Sequence, residues 1–482
     1  MRCTYLCAVA VASSICAFGQ VEPGPEVKAF VSVQAPVIAI EHVRVIDGTG
    51  APAHEDQTIV IAQGKIAAVG PAASVAIPAG AERLARAGYT VIPGLVGMHD
   101  HLYYTDSAAL QSKGGSLEEP GLIVAEIPYT GPHLYLAAGV TTMRTTGSLE
   151  PYTDLKVKAR IDAGKMAGPA MDATAPYLEG GPTIFAQMHE LADAAEAKQM
   201  VDYWASAGMT SFKAYMDITR DELGAAIGAA HAHGLKLTGH LCSVTWPEAI
   251  ALGIDDFEHG PVFTDTEFVE GKKEDACADE RESWKKQAID SPGVHALIQN
   301  LVTHHVAVTS TLPVFEASVP GRPKLQQRTL DAMAPESAQS YLTMRAKVPL
   351  DSPNTGLMRK EMDFEYAFVK AGGLLLAGPD PTGNGGVLPG FGDQREIELL
   401  VEAGFTPEEA IHIGTENGAT FLGHADRIGT VMAGKQADLV LIKGDPAKKI
   451  DDIENVETVF KDGLGYDSKK LIESVRGQVG IR

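Results

Sequence analysis

Apolar and polar residues alternate near both ends of the chain, a pattern typical of short β-strands with one buried face. Residues 37–92 alternate in this way, with turn signals at Asp47-Gly-Thr-Gly50 and Gln63-Gly64. Residues 428–445 repeat the pattern, and residues 20–36 are rich in Pro and Val and predict an extended arm. The two end segments, 37–92 and 428–482, therefore predict one composite β-sandwich domain.

Short apolar runs alternate with helix-like stretches over residues 93–427, as in repeated strand–helix units. Strands are predicted at Val140–Thr145, 169–175, 306–312 and 373–378, and helices at 191–207 and 220–233. Residues 316–360 contain more chain than one crossover helix needs, so we expect them to shape a pocket. The predicted fold class is α/β, with a (β/α)8 TIM-like barrel over residues 93–427.

Length and charge agree with this organisation. The chain has 482 residues, whereas a bare barrel needs roughly 250, so an added domain is expected. Hydrophobic residues make up 45% and charged residues 21% of the chain, as in ordinary globular proteins. The net charge of −22 argues against nucleic-acid partners and against adhesion to anionic membranes. The sequence does not determine the oligomeric state, and a homo-oligomer is compatible with it.

Residues 1–19 have the features of a signal peptide. Arg2 precedes a short apolar core, and Ala17 and Gly19 supply the small residues of a cleavage site. An ordinary N-terminal strand is the alternative, and Cys16 leaves lipidation open. The apolar core is too short to predict a membrane span, and no other run is long enough. We expect an exported protein, periplasmic or secreted, without a membrane span in its mature form.

Cleavage after residue 19 would leave Cys242 and Cys277 as the remaining cysteines. An exported compartment permits a disulfide. A Cys242–Cys277 bridge would hold the charged insertion at residues 271–286 over the entrance of the predicted active site, because Cys242 lies two residues after His240. Two free thiols are the equally open alternative.

Candidate metal ligands first occur together in Pro93-Gly-Leu-Val-Gly-Met-His-Asp-His101. Residues i and i+2 of a strand point to the same face, so His99 and His101 can bind one cation such as zinc. Further residues of metal-binding or charged type follow later apolar runs at Lys213, His240, His259 and Asp380.

The spacing of these residues fits a barrel. The short gaps between Lys213, His240 and His259 match neighbouring strand–helix units of about 30 residues, and the longer gaps match two or more units. Active sites of such barrels lie at the carboxyl ends of the strands, which is where these residues fall.

The His-Asp-His motif and the later residues resemble the metal-binding signature of the amidohydrolase superfamily. The resemblance covers nearly the whole chain after residue 36. Within the superfamily, Thr141-Thr-Met-Arg-Thr-Thr-Gly147 and Phe212-Lys-Ala-Tyr-Met216 are most similar to the prolidase-like and imidazolonepropionase-like dipeptidases.

The resemblance implies a binuclear centre of two divalent metal ions, with zinc as the default and manganese, cobalt or iron as alternatives. His99, His101 and Asp380 would hold the more buried ion, and His240 and His259 the more exposed one. Lys213, N6-carboxylated by carbon dioxide, would bridge both, because a free ammonium would repel the metals.

Other residues near the predicted site are candidates for substrate binding. Arg144 ends a strand and is expected either to clamp a substrate carboxylate or to form a structural ion pair. Tyr215 is expected to donate to an oxyanion or carboxylate. Tyr104 and His133 are further candidates for substrate binding. The alternative for Tyr104 is a packing role, and the alternative for His133 is a position on the surface of a helix. Gly378–Gly392 is predicted to form a mobile lip beside Asp380.

The predicted function is amide hydrolysis in a small dipeptide or N-acyl amino acid by metal-hydroxide attack, with Asp380 as the catalytic proton shuttle. Hydrolysis of a cyclic amide or lactone by the same centre is the main alternative. A mononuclear deaminase is disfavoured, because Ser243 stands where a glutamate is common. A metal-free binding protein is disfavoured by retention of the full ligand set.

Overall fold

The computed structural model describes residues 22–105, 123–124, 126–183 and 185–480. The predicted signal peptide at residues 1–19 lies outside the described residues. No helix within these ranges combines the length and apolar character needed to cross a bilayer.

A nine-stranded mixed sheet joins the two ends of the chain. The strands of this sheet are β1 (Val31–Val33), β2 (Val37–Val45), β3 (His54–Ala62), β4 (Lys65–Pro71), β5 (Glu82–Ala85), β6 (Tyr89–Pro93), β15 (Leu439–Lys443), β16 (Val456–Lys461) and β17 (Leu464–Asp467). β6 pairs in parallel with β2 and antiparallel with β15, which connects the N-terminal strands to the C-terminal ones.

Ile40, Ile59 and Leu441 belong to one apolar cluster on this sheet. The segment predicted as an extended arm forms a helical turn at Pro25–Lys28 and then strand β1, which pairs with β17. A sandwich arrangement and the domain boundaries remain predictions.

The remaining strands are parallel and form a three-stranded and a five-stranded sheet. They are β7 (Leu95–Asp100), β8 (Val140–Thr145), β9 (Ala170–Ala173), β10 (Ser211–Ala214), β11 (Lys236–Gly239), β12 (Asp256–Glu258), β13 (Ala307–Ser310) and β14 (Leu375–Ala377). Isolated parallel bridges link the two sheets, at Thr174 with Ser211 and at Leu178 with Ala214. Because no ladder joins β14 to β7 in the described ranges, a closed barrel remains a prediction.

Helices follow most of the parallel strands. Their bounds are α1 (Pro25–Lys28), α2 (Thr130–Ala137), α3 (Pro151–Asp162), α4 (Ala194–Ala207), α5 (Arg220–Ala232), α6 (Trp246–Leu252), α7 (Glu280–Lys286), α8 (Pro292–His304), α9 (Leu312–Glu316), α10 (Gln327–Ala332), α11 (Pro335–Ala346), α12 (Asn354–Lys370), α13 (Phe391–Ala403), α14 (Pro407–His412), α15 (Gly418–Phe421) and α16 (Ser468–Ser474). Short 3₁₀ helices lie at Pro261–Phe263 and Ile450–Glu454, and a π-helix lies at Ile413–Asn417.

Local sequence signals explain where these helices begin and end. Thr219 caps α5 in a capping box. Its side chain accepts a hydrogen bond from the Glu222 amide, and the Glu222 side chain accepts one from the Thr219 amide. α4 ends at Gly208, whose φ of 106° is a left-handed conformation that glycine adopts without strain. These boundaries confirm the predicted helices at 191–207 and 220–233 to within a few residues. The long predicted insertion at 316–360 holds α10, α11 and the start of α12.

Three glutamates are fully buried where α12 and α13 meet the parallel strands. Glu361, Glu365 and Glu396 have no measurable exposure. Oε2 of Glu361 accepts a hydrogen bond from the Val262 amide at 3.0 Å, and Ser310 donates to Glu396 at 2.6 Å. Burial raises the pKa of Glu361 to about 8, so this carboxyl is protonated in the folded chain near neutral pH.

We predict that Glu361→Gln makes the free energy of unfolding less sensitive to pH. The unfolded glutamate ionises above about pH 4.3, whereas the folded one keeps its proton. The contribution of protonated Glu361 to the free energy of unfolding is therefore fully present below the pKa of the unfolded state. It is lost as the pH rises toward the folded-state pKa of about 8. Urea unfolding at mildly acidic and mildly alkaline pH should show the variant gaining stability over the parent as pH rises. The exposed Glu336→Gln should show no such gain, and parallel curves for all three proteins would contradict the prediction.

Candidate metal centre

His99, His101 and Asp380 meet at the carboxyl edge of the parallel strands. His99 lies near the end of β7, His101 follows that strand, and Asp380 lies just beyond β14. Oδ1 of Asp380 is 3.4 Å from Nε2 of His101 and 3.8 Å from Nε2 of His99. One ligand atom of each residue lies within 4.8 Å of the others, and all three side chains are buried. Two imidazoles and a carboxylate at this spacing fit a divalent cation.

His259 and His240 extend this cluster. They directly follow β12 and β11. Nε2 of His259 is 3.9 Å from Oδ2 of Asp380, and its ring centroid lies 4.6 Å from that of His240. Nδ1 of His259 lies 2.6 Å from Oγ1 of Thr311, a hydrogen bond that fixes the ring. Such a partner on one nitrogen orients the other toward a metal.

Lys213 lies inside the cluster on β10. Its Nζ is 3.4 Å from Nε2 of His99 and 3.4 Å from the carbonyl oxygen of Thr146. Burial lowers the pKa of this amine to about 8, against the opposing attraction of Glu258 and Asp380. A larger neutral fraction near pH 7 makes the amine more reactive toward electrophiles.

Burial also keeps the imidazoles neutral, which is the form that binds metal. It lowers the pKa of His101 to about 4 and that of His240 to about 3. The pKa values of His99 and His259 are lowered by the same cause. Burial alone would favour a neutral Asp380, but His99 and His101 hold the pKa of its carboxyl well below the usual range. The cluster thus combines neutral imidazole nitrogens with one anion, the carboxylate of Asp380.

The backbone at two of these residues is unusual. His259 has φ 71° and Asp380 has φ 48°, both in the left-handed region that non-glycine residues seldom adopt. The His259 amide donates to Thr309 and the Asp380 amide to His99, which holds both conformations in place. Strained backbone of this kind concentrates at functional sites.

Gly378 permits the close approach of β14 to β7. A Cβ at this position would lie 2.2 Å from the amide nitrogen of His99. Any other residue would therefore separate Asp380 from the histidines.

A buried ion cluster lies beneath the histidines, and of its members the sequence patterns predict only Arg144, not the carboxylates of Asp256 and Glu258. Oε2 of Glu258 is 2.8 Å from Nδ1 of His99. Arg144 donates to Glu258 at 2.8 Å and to Asp256 at 3.0 Å. Although burial opposes ionisation, Arg144 and His99 lower the pKa of Glu258 to about 2. The available signal was the i, i+2 spacing of Asp256 and Glu258 on a buried strand, because two inward carboxylates need a cation.

Arg144 does not reach the site mouth, which corrects its predicted role as a substrate clamp. Its side chain is 1% exposed, and Nε donates to the carbonyl of Met98 at 2.9 Å. Arg144 instead forms the structural ion pair that was the alternative prediction. The arginine is needed inside because unpaired buried carboxylates are strongly destabilising.

His133 also lies away from the cluster. Nδ1 is 2.9 Å from Oγ of Ser474, and the ring packs 4.9 Å from that of Phe30. Its prediction as a substrate contact is corrected to a packing role between α2, α16 and the N-terminal segment.

The tyrosines remain close to the centre. The ring centroid of Tyr215 is 5.2 Å from that of His240, and Nζ of Lys213 is 5.8 Å from the Tyr215 ring. Tyr104 donates to the carbonyl of Gly385 at 2.8 Å, in the glycine-rich segment after Asp380. Their roles in substrate binding stay predictions.

Cys242 and Cys277 form a disulfide in the structure. The bridge joins the segment after His240 to the charged insertion at residues 271–286. From the same insertion, Lys272 donates to the carbonyl of Ser243. Arg281, a little further on, lies over the Phe263 ring at 5.8 Å. The insertion is therefore fixed beside the histidine cluster.

Comparisons with known proteins agree with this geometry. Residues 390–464 match the sequence model of the amidohydrolase family. An imidazolonepropionase from Parabacteroides distasonis is 43% identical over 64 residues, which span 13% of this chain and 15% of that relative.

Solved structures share the fold over most of the chain. A Xaa-Pro dipeptidase with bound methionine in its active site has a TM-score of 0.63 at 20% identity, covering 89% of this chain and 100% of that chain. A bottromycin amidohydrolase has a TM-score of 0.67 at 19% identity, covering 94% of each chain. At these identities the likeness shows the fold alone.

The family match over residues 390–464 and the shared fold agree with the resemblance to the amidohydrolase superfamily seen in the sequence. The chemistry of the buried His-His-Asp set is consistent with divalent metal binding.

We predict that Glu258→Gln lowers the affinity for added zinc by about 10–100-fold, as is typical when the partner of a metal-binding histidine is removed. The reason is that His99 would lose the carboxylate that orients it. Competitive titration against a chelating dye measures the change. The exposed Glu267→Gln serves as control and should leave affinity unchanged. Equal affinities in both variants would show that Glu258 does not support the centre.

Proposed function

We propose that the chain is an exported, binuclear metal-dependent hydrolase that cleaves an amide bond in a small peptide or N-acyl amino acid. The observation that carries this proposal is the convergence of Asp380 with His99 and His101, two buried histidines of a typical metal-binding motif. The shared fold and the amidohydrolase-family match over residues 390–464 support the same reaction class.

His99, His101 and Asp380 would hold one ion, and His240 and His259 a second. Lys213, once carboxylated on Nζ, would bridge them as an anion. Its lowered pKa supports this step, because only a neutral amine adds to carbon dioxide. Divalent cations held there would polarise the scissile carbonyl and make hydroxide available near neutral pH.

Asp380 is positioned to move the proton. Its carboxylate takes a proton from the attacking water and passes it to the leaving amine. Thr382 donates to Oδ1 of Asp380 at 2.8 Å and so fixes the carboxylate, while Oδ2 faces His259. A lowered pKa keeps this group ionised.

Aromatic side chains flank the centre and favour an apolar group beside the scissile bond. The Phe315 ring lies 5.5 Å from that of His259 and stacks on Phe263 at 3.9 Å. On the other side, Tyr215 packs against Tyr177 and His240. With Arg144 withdrawn from the mouth, Tyr215 is our candidate donor to a substrate carboxylate or oxyanion.

Hydrolysis of a cyclic amide by the same centre is the second candidate. The stretch shared with imidazolonepropionase favours it, since that name denotes a ring substrate. Ring opening and linear amide cleavage use the same attack on a carbonyl, so the pocket rather than the metals decides between them.

Export is part of the proposal. The signal-peptide pattern at residues 1–19 motivates it, and the Cys242–Cys277 disulfide supports it, since disulfides persist in oxidising compartments.

Turnover of a mixed library tests the reaction. Dipeptides, N-acyl amino acids, hydantoins and lactones would be incubated with zinc-loaded protein and followed by mass spectrometry. We expect linear amides to be cleaved and a chelator to suppress the cleavage. Turnover of rings alone would establish the second candidate, and turnover insensitive to chelation would reject a metal-dependent reaction.

We predict that Asp380→Asn lowers kcat by about 10²–10⁴-fold, the usual contribution of a positioned general base. The amide keeps the size of the side chain but cannot carry the proton. Bound metal, measured by elemental mass spectrometry, should be largely retained, which separates proton transfer from metal loss. The exposed Asp290→Asn should match the parent. A near-normal rate for Asp380→Asn would remove this residue as the shuttle.

We predict that Lys213→Ala is inactive and is partly rescued by short carboxylic acids, which would replace the bridging anion. The exposed Lys156→Ala should be fully active and unaffected by these acids. Initial rates with and without acetate or propionate measure the rescue. If Lys213→Ala binds both metals and works unaided, the bridging role is wrong.

A further inference from the structure

Two buried tyrosines lie directly against the candidate metal centre without being metal ligands themselves. Tyr103 follows β7 two residues after His101, and Tyr177 lies in the segment after β9. Their hydroxyl oxygens are 2.5 Å apart, which is a hydrogen bond. Tyr103 is 7% and Tyr177 3% exposed. Because so little of either ring is accessible to a substrate, a role in the reaction would act through neighbouring groups.

The direction of this hydrogen bond follows from the second partner of Tyr177. The Tyr177 hydroxyl donates to the carbonyl oxygen of Thr146 at 3.2 Å. A phenol has one proton to donate, so Tyr103 is the donor to Tyr177. The two hydroxyl groups therefore form a chain that runs from Tyr103 through Tyr177 to Thr146.

The ring of Tyr103 orients His101. The two rings stack with their centroids 4.4 Å apart and an angle of 21° between their planes. A metal-binding histidine usually has its second nitrogen hydrogen-bonded, which fixes the ring. His259 follows this rule through Thr311, whereas Nδ1 of His101 makes no hydrogen bond with the residues that the structure describes. Stacking on Tyr103 therefore does for His101 what Thr311 does for His259.

The carbonyl oxygen of Thr146 connects the tyrosine pair to Lys213. It accepts from Tyr177 and lies 3.4 Å from Nζ of Lys213, and a carbonyl oxygen can accept two hydrogen bonds. Thr146 is itself held to β7, because its amide donates to Asp100 at 2.8 Å and its hydroxyl to Met98 at 3.0 Å. The hydrogen-bond chain therefore ends at the lysine that is predicted to bridge the two metal ions.

Close packing holds Tyr177 in this position. A Cβ on Gly147 would lie 2.4 Å from atoms of the Tyr177 ring, so any other residue there would displace the ring. The φ of 88° at Gly147 is also a left-handed conformation that favours glycine. The Tyr177 ring packs edge to face against Tyr215, with centroids 4.9 Å apart. These contacts keep the Tyr177 hydroxyl beside Thr146.

We propose that Tyr103 and Tyr177 form one positioning unit for the metal centre. The stacked ring sets the orientation of His101, and the hydroxyl chain sets the position of Lys213. The proposal rests on the binuclear centre of the proposed function and adds two residues to it. Because the pair contacts the ligands and is buried from substrate, it acts on metal affinity, and its loss can be overcome by extra metal.

Competitive titration of zinc against a chelating dye tests the hydroxyl chain. Tyr103→Phe keeps the stacked ring and removes one hydrogen bond, so zinc affinity should fall about fivefold. Tyr177→Phe removes the bonds on both sides and should lower the affinity about tenfold or more. The double variant should bind no more weakly than Tyr177→Phe alone, because the Tyr103 hydroxyl has no acceptor once that of Tyr177 is gone.

Tyr103→Leu tests the stacking contact. It removes the ring as well as the hydroxyl and should lower zinc affinity more than Tyr103→Phe does. Tyr466→Phe is the matched control, since Tyr466 is also 7% exposed but lies on β17 of the nine-stranded sheet. It should bind zinc as the parent does. At saturating zinc, kcat of both single Phe variants should return to near the parent value, and a lasting loss of kcat would contradict a positioning role.

Urea unfolding of the same variants separates positioning from stability. Lower stability with unchanged zinc affinity would show that the pair supports only the fold, and would overturn the proposal. A double variant that binds zinc much more weakly than Tyr177→Phe would contradict the hydrogen-bond chain. A parent chain without affinity for zinc would reject the metal centre and the proposed function with it, whereas a zinc-binding parent with unchanged variants would reject the tyrosine unit alone.

Discussion

Asp380 contacts His101 across 3.4 Å, and this contact requires the first and last parallel strands to lie side by side. His101 follows β7 and Asp380 follows β14, so residues far apart in sequence must share one edge. Gly378 allows the approach, and the left-handed conformations of Asp380 and His259 turn both residues toward the cluster. The position of every other candidate ligand depends on this junction, because the intervening strands are aligned between its two ends.

Burial then sets the charge state of the centre. It keeps the imidazoles neutral and lowers the pKa of Lys213, while the histidines keep Asp380 ionised. Beneath them, Arg144 neutralises Asp256 and Glu258, and Glu258 faces His99. Arg144, Asp256 and Glu258 therefore balance one another's charges, which is a condition for burying such groups.

Much of this arrangement could be predicted from the sequence, because strand periodicity and strand-end chemistry are local signals. Val140–Thr145 is a strand with the predicted bounds, and His99, His240 and His259 lie at strand ends as expected. The role of Arg144 could not be settled, since its position at the end of a strand fits both an inward ion pair and an outward clamp. The partner of that arginine lies on another strand, and only the packing of β8 against β12 reveals it. His133 was misassigned for the same reason, because Ser474 and Phe30 reach it from opposite ends of the chain.

We infer that side chains from both ends of the parallel-strand segment jointly bind metal. Elemental mass spectrometry of purified protein, dialysed with zinc and then freed of excess, measures it most directly when the parent is compared with His101→Asn. We expect about two ions per parent chain, as in binuclear hydrolases, and loss of at least one of them in the variant. A parent chain that retains no ion, or a variant that retains the full complement, would contradict it.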